Sequence, residues 1–375
     1  MKLYRLTIVA FLSFVAAFSA LFLYRYHFYE DFGNGFIVGD WLINYEDGGF
    51  KRRGLSGSIM FFLQDITGVE LTKLVLFFQL TSFLIFLTAF VALLWNKKID
   101  WLYISLIISP LTFMAYLNDY GYLGRKEFLL FMLFAIYLVA YRKRNLSKSI
   151  ATIFLIVISI FTLLHELFFF YISYFILADI LLSRRFSLKM SALYFCSALL
   201  PIIGIILLGH NINEGESINL ITDRGFQIAQ HNIFIESTSM NAVSQIKEHA
   251  LQYILYLVVW LFGLIHFGYF IRKRIPEFKK QLFVFLPLAI TLTIPMFILA
   301  VDWGRWIQIH FVLLLLLLTT LLPSKSDQSD SVLNRQSFIG PVILIGIMCF
   351  WGMKHVYTGF YPGGMLRYFY SLAFG

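Results

Sequence analysis

The amino-acid sequence predicts an all-α fold, a polytopic bundle of about eleven transmembrane helices forming one integral membrane domain over residues 1–375, and three observations predict it. The chain is 59% hydrophobic and only 14% charged. Its apolar runs recur at close to the ~20 residues that a helix needs to cross hydrocarbon. Runs such as LVLFFQLTSFLIFLTAFVALLW, residues 74–95, are apolar on every face, which excludes the alternating strands of a membrane β-barrel.

In chain order the spans fall near 6–24, 73–95, 101–117, 128–141, 150–164, 167–182, 190–209, 251–271, 282–301, 307–322 and 338–353. The first follows a charged start of signal-peptide type, but its apolar run continues through Leu21 to Tyr24 and makes a full span, so we expect it to be retained. The basic loops NKK, RKRNLSK, SRRFSLK and RKRIPEFKK lie on one side with Lys2 and Arg5. Excess Lys and Arg mark cytoplasmic loops, so the N-terminus is expected inside and the C-terminus outside, in the periplasm of a bacterium. One helix from Ile150 to Leu182 would be ~50 Å long and would move two of these basic loops outside. A hairpin with His165 and Glu166 at its outer tip keeps both inside.

These loops account for the net charge of +9, which therefore gives no reason to expect a nucleic-acid partner. Cys196 and Cys349 sit in apolar runs and suggest neither a disulfide nor a zinc site. The outer segments carry both signs of charge with aromatics and glycines, the largest being 25–72 and 210–250. Function is expected on that face.

The first outer segment contains DWLINYEDGGFKRRG, bringing Asp40, Glu46, Asp47, Lys51, Arg52 and Arg53 close together. Behind it Leu55, Ile59, Phe62, Leu63 and Ile66 share one face at helical spacing, which predicts an amphipathic helix lying in the membrane interface. Four further outer motifs mix charges: NDYGYLGRKE with Arg125, Lys126 and Glu127; the pair His165 and Glu166; TDRGFQ with Arg224; and DWGRW, where Asp302 and Arg305 lie one helical turn apart. Arginine suits a phosphate because its planar fork donates two parallel hydrogen bonds. A carboxylate suits the removal of a proton from a hydroxyl. The same charges have a plainer use in snorkelling to headgroups and pairing with one another, although several charges at membrane depth are costly without a function. No P-loop, GxSxG, HExxH or CxxC pattern occurs, so nucleotide, zinc-protease and thiol chemistries have no support.

An inside N-terminus, an acid-bearing first outer loop with an interfacial helix behind it, a second large outer loop and about eleven spans together resemble the GT-C class of membrane glycosyltransferases. The organisation is also similar to O-antigen polymerases of the Wzy type. The resemblance implies glycosyl transfer from a polyprenyl (undecaprenyl) phosphate- or diphosphate-linked sugar or oligosaccharide at the outer face of a bacterial cytoplasmic (inner) membrane, in O-antigen or capsule polysaccharide biosynthesis. It implies a catalytic acid at Asp47 or Glu46, with Asp40 a weaker candidate, and phosphate binding by Arg52, Arg53, Lys51, Arg125, Lys126, Arg224 and Arg305. His165, Glu166, Asp302 and Glu127 would support them. No cofactor is implied; paired acids leave room for a divalent metal, but no ligand pattern indicates one. The expected partners are the lipid-linked sugar, membrane lipid and other polysaccharide-assembly proteins. The spaced Arg and Gly pattern of some polymerases is missing around Arg224, which leaves polymerase and single-sugar transferase both open. Three rivals remain: a transporter or flippase of lipid-linked sugars, an outward-facing acyl- or phospho-transferase using His165, and a structural subunit of an export complex.

Overall fold

The computed structural model describes residues 2–28, 36–47, 49–144, 148–210, 214–227, 233–234, 242–324, 351–355 and 360–362. It is an all-α protein with one small two-stranded ribbon. In chain order the helices are α1 (Lys2–Phe28), α2 (Ile37–Leu42), α3 (Gly54–Thr67), α4 (Leu71–Leu94), α5 (Trp101–Ile107), α6 (Ala115–Asn118), α7 (Glu127–Arg144), α8 (Lys148–Leu164), α9 (Leu167–Phe170) and α10 (Ile172–Ser183). They continue with α11 (Leu188–Leu208), α12 (Glu214–Asp223), α13 (Ala242–Glu248), α14 (Ala250–Arg274), α15 (Lys279–Thr291), α16 (Ile294–Leu299) and α17 (Trp303–Leu321). Strands β1 (Trp351–Met353) and β2 (Phe360–Pro362) pair antiparallel, with Gly352 opposite Tyr361. Among the described residues five helices, α1, α4, α11, α14 and α17, are long and apolar enough to cross a bilayer, as in a membrane protein.

The chain forms two compact units, the first from 1–19, 87–123 and 242–375, the second from 20–86 and 124–241. In the second unit Ala151, Phe154, Ile158 and Thr162 recur every three or four residues on the buried face of α8, the spacing that makes one stripe on a helix. They pack towards α11, where the Ser197 carbonyl accepts a hydrogen bond from Ser159 at 2.7 Å. The outer faces of both helices stay apolar: Ile153 and Ile156 on α8, Leu200, Ile206 and Leu207 on α11 are all exposed. Such a surface is stable against hydrocarbon and costly against water. α3 behaves alike, burying Ser56, Gly57, Met60 and Phe61 while Phe62 and Ile66 stay 62% and 65% exposed. Its uncovered apolar face is the one the sequence assigned to the membrane interface.

In the first unit α17 is buried all round, in keeping with its unbroken run of leucines. α14 packs on it at Gly263, where a Cβ would lie 2.3 Å from the Phe311 ring and 2.5 Å from Leu111. Here the structure corrects three of the predicted spans. Residues 101–117 do not form one helix: α5 stops at Ile107 and turns lead past Pro110 to α6. Pro110 has no N–H for the Leu106 carbonyl four residues back, and the Thr112 hydroxyl donates to that oxygen instead at 2.6 Å, as well as to the Ile107 carbonyl at 2.9 Å. Residues 282–301 are likewise divided, α15 ending before Thr293 and α16 restarting at Ile294–Pro295. Residues 338–350 of the last predicted span lie outside the described residues, and its end, Trp351–Met353, is a strand held by β2 rather than helix. The interruption expected at His165 and Glu166 is present, between α8 and α9.

Replacing Thr112 with Val removes the donor that serves the Leu106 carbonyl and is expected to cost about 1–3 kcal/mol. Thr222→Val, at an exposed helical hydroxyl bonded among the described residues only to the Ile218 carbonyl, is expected to be close to neutral. Thermal unfolding of the two variants in detergent measures the difference.

Candidate functional site

Four segments of the second unit bring charge to one buried place. Asp40 comes from α2, Arg53 immediately precedes α3, Lys126 immediately precedes α7, and His165 with Glu166 fills the break between α8 and α9. Each segment is held by local chemistry. Trp41 Nε1 and Gln79 Nε2 both donate to the Gly124 carbonyl at 2.8 Å, fixing the turn that carries Lys126. Gly124 has φ +68°, and a Cβ there would meet Ile37 and Leu23 under 3 Å, so this turn requires glycine. Gly57 lets α3 start against the α2 end, with its N–H on the Ile43 carbonyl at 2.9 Å.

Arg53 is the centre of the cluster. Its backbone is left-handed at φ 64°, an unusual conformation for a side-chain-bearing residue and of the kind concentrated at functional sites. Nη1 donates to Asp40 Oδ1 at 2.7 Å, Nε donates to Glu166 Oε2 at 2.9 Å, and Nη2 completes the fork on Glu166 Oε1. Lys126 Nζ stands 3.8 Å from Asp40 Oδ2 and 6.0 Å from the centre of the Trp41 ring. Arg52 Nη1 lies 3.7 Å from Glu166 Oε1, with its own side chain 53% exposed. Glu127, buried, opens α7 beside them.

Burial alone would raise the pKa of both carboxylates. For Asp40 the charges of Lys126 and Arg53 outweigh it, for Glu166 those of Arg53 and Arg52, and both are held below the ordinary carboxylate range. Burial pulls the Lys126 ammonium down to about 8, with Asp40 opposing. Burial and then Arg53 pull His165 down to about 3, so its ring is neutral near pH 7. The Leu167 N–H donates to His165 Nδ1 at 3.1 Å, which assigns the ring proton to Nε2. Lys126 Nζ and His165 Nε2 are both buried with no hydrogen-bond partner among the described residues. Asp40 and Glu166 are thus charge-paired acceptors and weak bases, while Lys126, His165 and the open Arg52 are donors with capacity to spare. That arrangement can bind an anion.

The other predicted residues divide into separate pairs. Asp47 and Lys51, four positions apart in the chain, form a buried ion pair, and Ser217 donates to the second oxygen of Asp47. Glu46 Oε2 accepts from Arg224 at 3.1 Å, and Arg224 also bonds Asp65 at 2.7 Å while lying 4.3 Å over the Phe61 ring. No described residue bonds Glu46 Oε1, and this side chain is the open one of the three acids. Arg125 is half-buried in the turn before α7. Arg305 donates to Asp302 at 2.8 Å, within the first unit. Sequence reasoning missed Trp41, Asp65 and Ser217, because an indole, an interfacial acid and a serine carry no motif. Among the described residues no group of three or more His, Cys, Asp or Glu is placed to hold a metal ion.

No family model, curated protein or solved structure matches the chain. Its function has to be argued from the site.

Asp40 and Glu166 release their protons more readily in the folded than in the unfolded chain. On acidification the unfolded chain takes up protons first, so the stability they confer is intact at neutral pH and is lost as pH falls below about 4. Arg53→Ala strands two buried carboxylates and is expected to cost about 3–5 kcal/mol near neutral pH. Much of the acid dependence goes with it, and Arg53→Lys, lacking the fork, does not restore it. Chemical unfolding in detergent from about pH 3 to about pH 7 measures all three proteins.

Proposed function

We propose that the protein is a membrane glycosyltransferase that moves a sugar or oligosaccharide from a polyprenyl phosphate or diphosphate carrier to an acceptor hydroxyl at the outer face of a bacterial cytoplasmic membrane. The observation that carries this reading is the buried cluster around Arg53, in which fixed carboxylates anchor one cation while Arg52, Lys126 and the His165 Nε2–H retain donor capacity. An exposed guanidinium above buried donors is suited to a lipid phosphate arriving from the membrane surface. The uncovered apolar face of α3, which begins beside Arg53, supports an interfacial location.

The carrier phosphate meets Arg52 first, with Arg53 held rigidly behind it by Asp40 and Glu166. Glu46, the acid with an open oxygen, takes the proton of the acceptor hydroxyl. The hydroxyl oxygen bonds to the anomeric carbon with inversion, and the bond to the carrier phosphate breaks with its electron pair on phosphate. The cations bind that phosphate more tightly as its charge grows, which lowers the barrier selectively. Asp47 is assigned a structural part, since Lys51 and Ser217 occupy both its oxygens.

A second reading, transport of the same lipid-linked sugars, is favoured by the interrupted segments at Pro110 and Pro295, because broken helices line many transport sites. Reconstituted vesicles loaded with a polyprenyl diphosphate sugar and an acceptor separate the two. Transfer yields a lengthened glycan and free carrier phosphate; transport yields the unchanged lipid on the opposite leaflet. For transfer, Glu46→Gln and Arg52→Ala are each expected to lower the rate on the order of 100-fold. Full transfer by both variants overturns these assignments.

A further inference from the structure

The first unit holds a histidine that the cluster in the second unit does not use. His355 follows β1 and faces the turn after α6. Its Nδ1 lies 2.7 Å from Asp119 Oδ2, and its backbone N–H donates to the same oxygen at 2.9 Å. The second oxygen, Oδ1, accepts from the Gly121 N–H at 2.9 Å. Asp119 is 6% exposed, and its bonds from His355 outweigh burial and hold it ionised. An ionised carboxylate against Nδ1 draws the ring proton there and leaves the lone pair on Nε2. Among the described residues Nε2 has no hydrogen-bond partner, and the His355 side chain is 24% exposed.

The fold has made room for this ring. A Cβ at Gly121 would lie 2.0 Å from the imidazole Cε1 and Nδ1, so only glycine admits it, and Tyr122 packs edge-on at 6.0 Å. The imidazole is not needed to secure the strand. Asn118 donates to the Trp351 carbonyl at 3.3 Å, Tyr122 to Met353 at 3.1 Å and Tyr256 to Lys354 at 2.8 Å. Gly304, beside Arg305, admits the Lys354 carbonyl, where a Cβ would lie at 2.0 Å. The ring's Nδ1 is committed to Asp119, and its Nε2 edge takes part in none of these contacts.

We propose that His355, positioned by Asp119, is the proton acceptor of a binding site in the first unit for a hydroxyl-bearing ligand. The hydroxyl donates to Nε2 and can pass its proton there, giving an alkoxide-like oxygen and an imidazolium that the Asp119 carboxylate stabilises. Asp119, whose two oxygens already accept from His355 and Gly121, offers nothing further to an ammonium ligand, so an uncharged O–H is the donor that fits. The proposal goes beyond the transferase reading and does not depend on it, because every group involved belongs to the first unit.

Two measurements on the full chain in detergent test it. Nitrogen NMR of ¹⁵N-histidine-labelled protein, with His355 assigned by its loss in His355→Gln, is expected to show Nδ1 protonated and Nε2 bare in the neutral ring. The opposite tautomer overturns the proposal. Diethyl pyrocarbonate, which acylates unprotonated imidazole nitrogen, is expected to label His355 well ahead of the buried His165 and His310, as read by mass spectrometry of peptides. In Asp119→Asn the amide reverses the tautomer, and labelling is expected to slow by about tenfold or more, a fraction of the ~10⁴-fold that the same change costs a serine protease. Equal labelling of His355 in the two proteins overturns the proposal, and the wild-type tautomer decides it even if Asp119→Asn does not fold.

Discussion

One guanidinium organises the charge of the second unit. Arg53 ties residues from α2 and from the break between α8 and α9, and its pairing with Glu166 joins positions 113 residues apart in sequence. Two carboxylates would not stay ionised in that place without it, since burial favours their protonated forms. Replacing the whole set with apolar side chains would be no less stable on general grounds, because desolvating ions consumes most of what their attraction returns. A cluster that confers little net stability but fixes positions is better understood as positioning than as support.

The cluster also redistributes roles among residues that look alike in the sequence. KRR at 51–53 reads as three equivalent cations. In the structure Lys51 is buried on Asp47, Arg53 is half-buried between two carboxylates, and Arg52 is half in solvent with one loose contact. The acids separate in the same way: Asp40 and Asp47 are buried against cations and Glu46 is open. Backbone geometry makes these differences, above all the left-handed turn at Arg53 that sends consecutive side chains in different directions.

What the sequence made legible was whatever depends on hydropathy and period. The five long apolar helices, the exposed apolar stripe of α3 and the break at His165 all follow from local pattern, because hydropathy and helical period are set residue by residue. Pro110 was visible as an interruption, but that the helix ends there was hidden, since proline also occurs inside intact membrane helices and the compensating hydroxyl of Thr112 has no signature. Pairings across long stretches of chain were equally hidden. Asp119 stood in a motif of interest, but His355 lies 236 positions away and nothing in either neighbourhood names the other. Ion pairs are products of tertiary structure, and a single chain's spelling records the charges without their partners.

The helix that follows Arg53 rests its apolar side on whatever surrounds the protein, and the same helix begins at the residue that holds Asp40 and Glu166. Any sliding or tilting of α3 is therefore carried directly to that guanidinium, with no flexible spacer between them. A force on the exposed apolar face of α3 acts through a lever whose short arm is the ionic cluster. Whatever touches that face is thereby coupled to the electrostatics of the site.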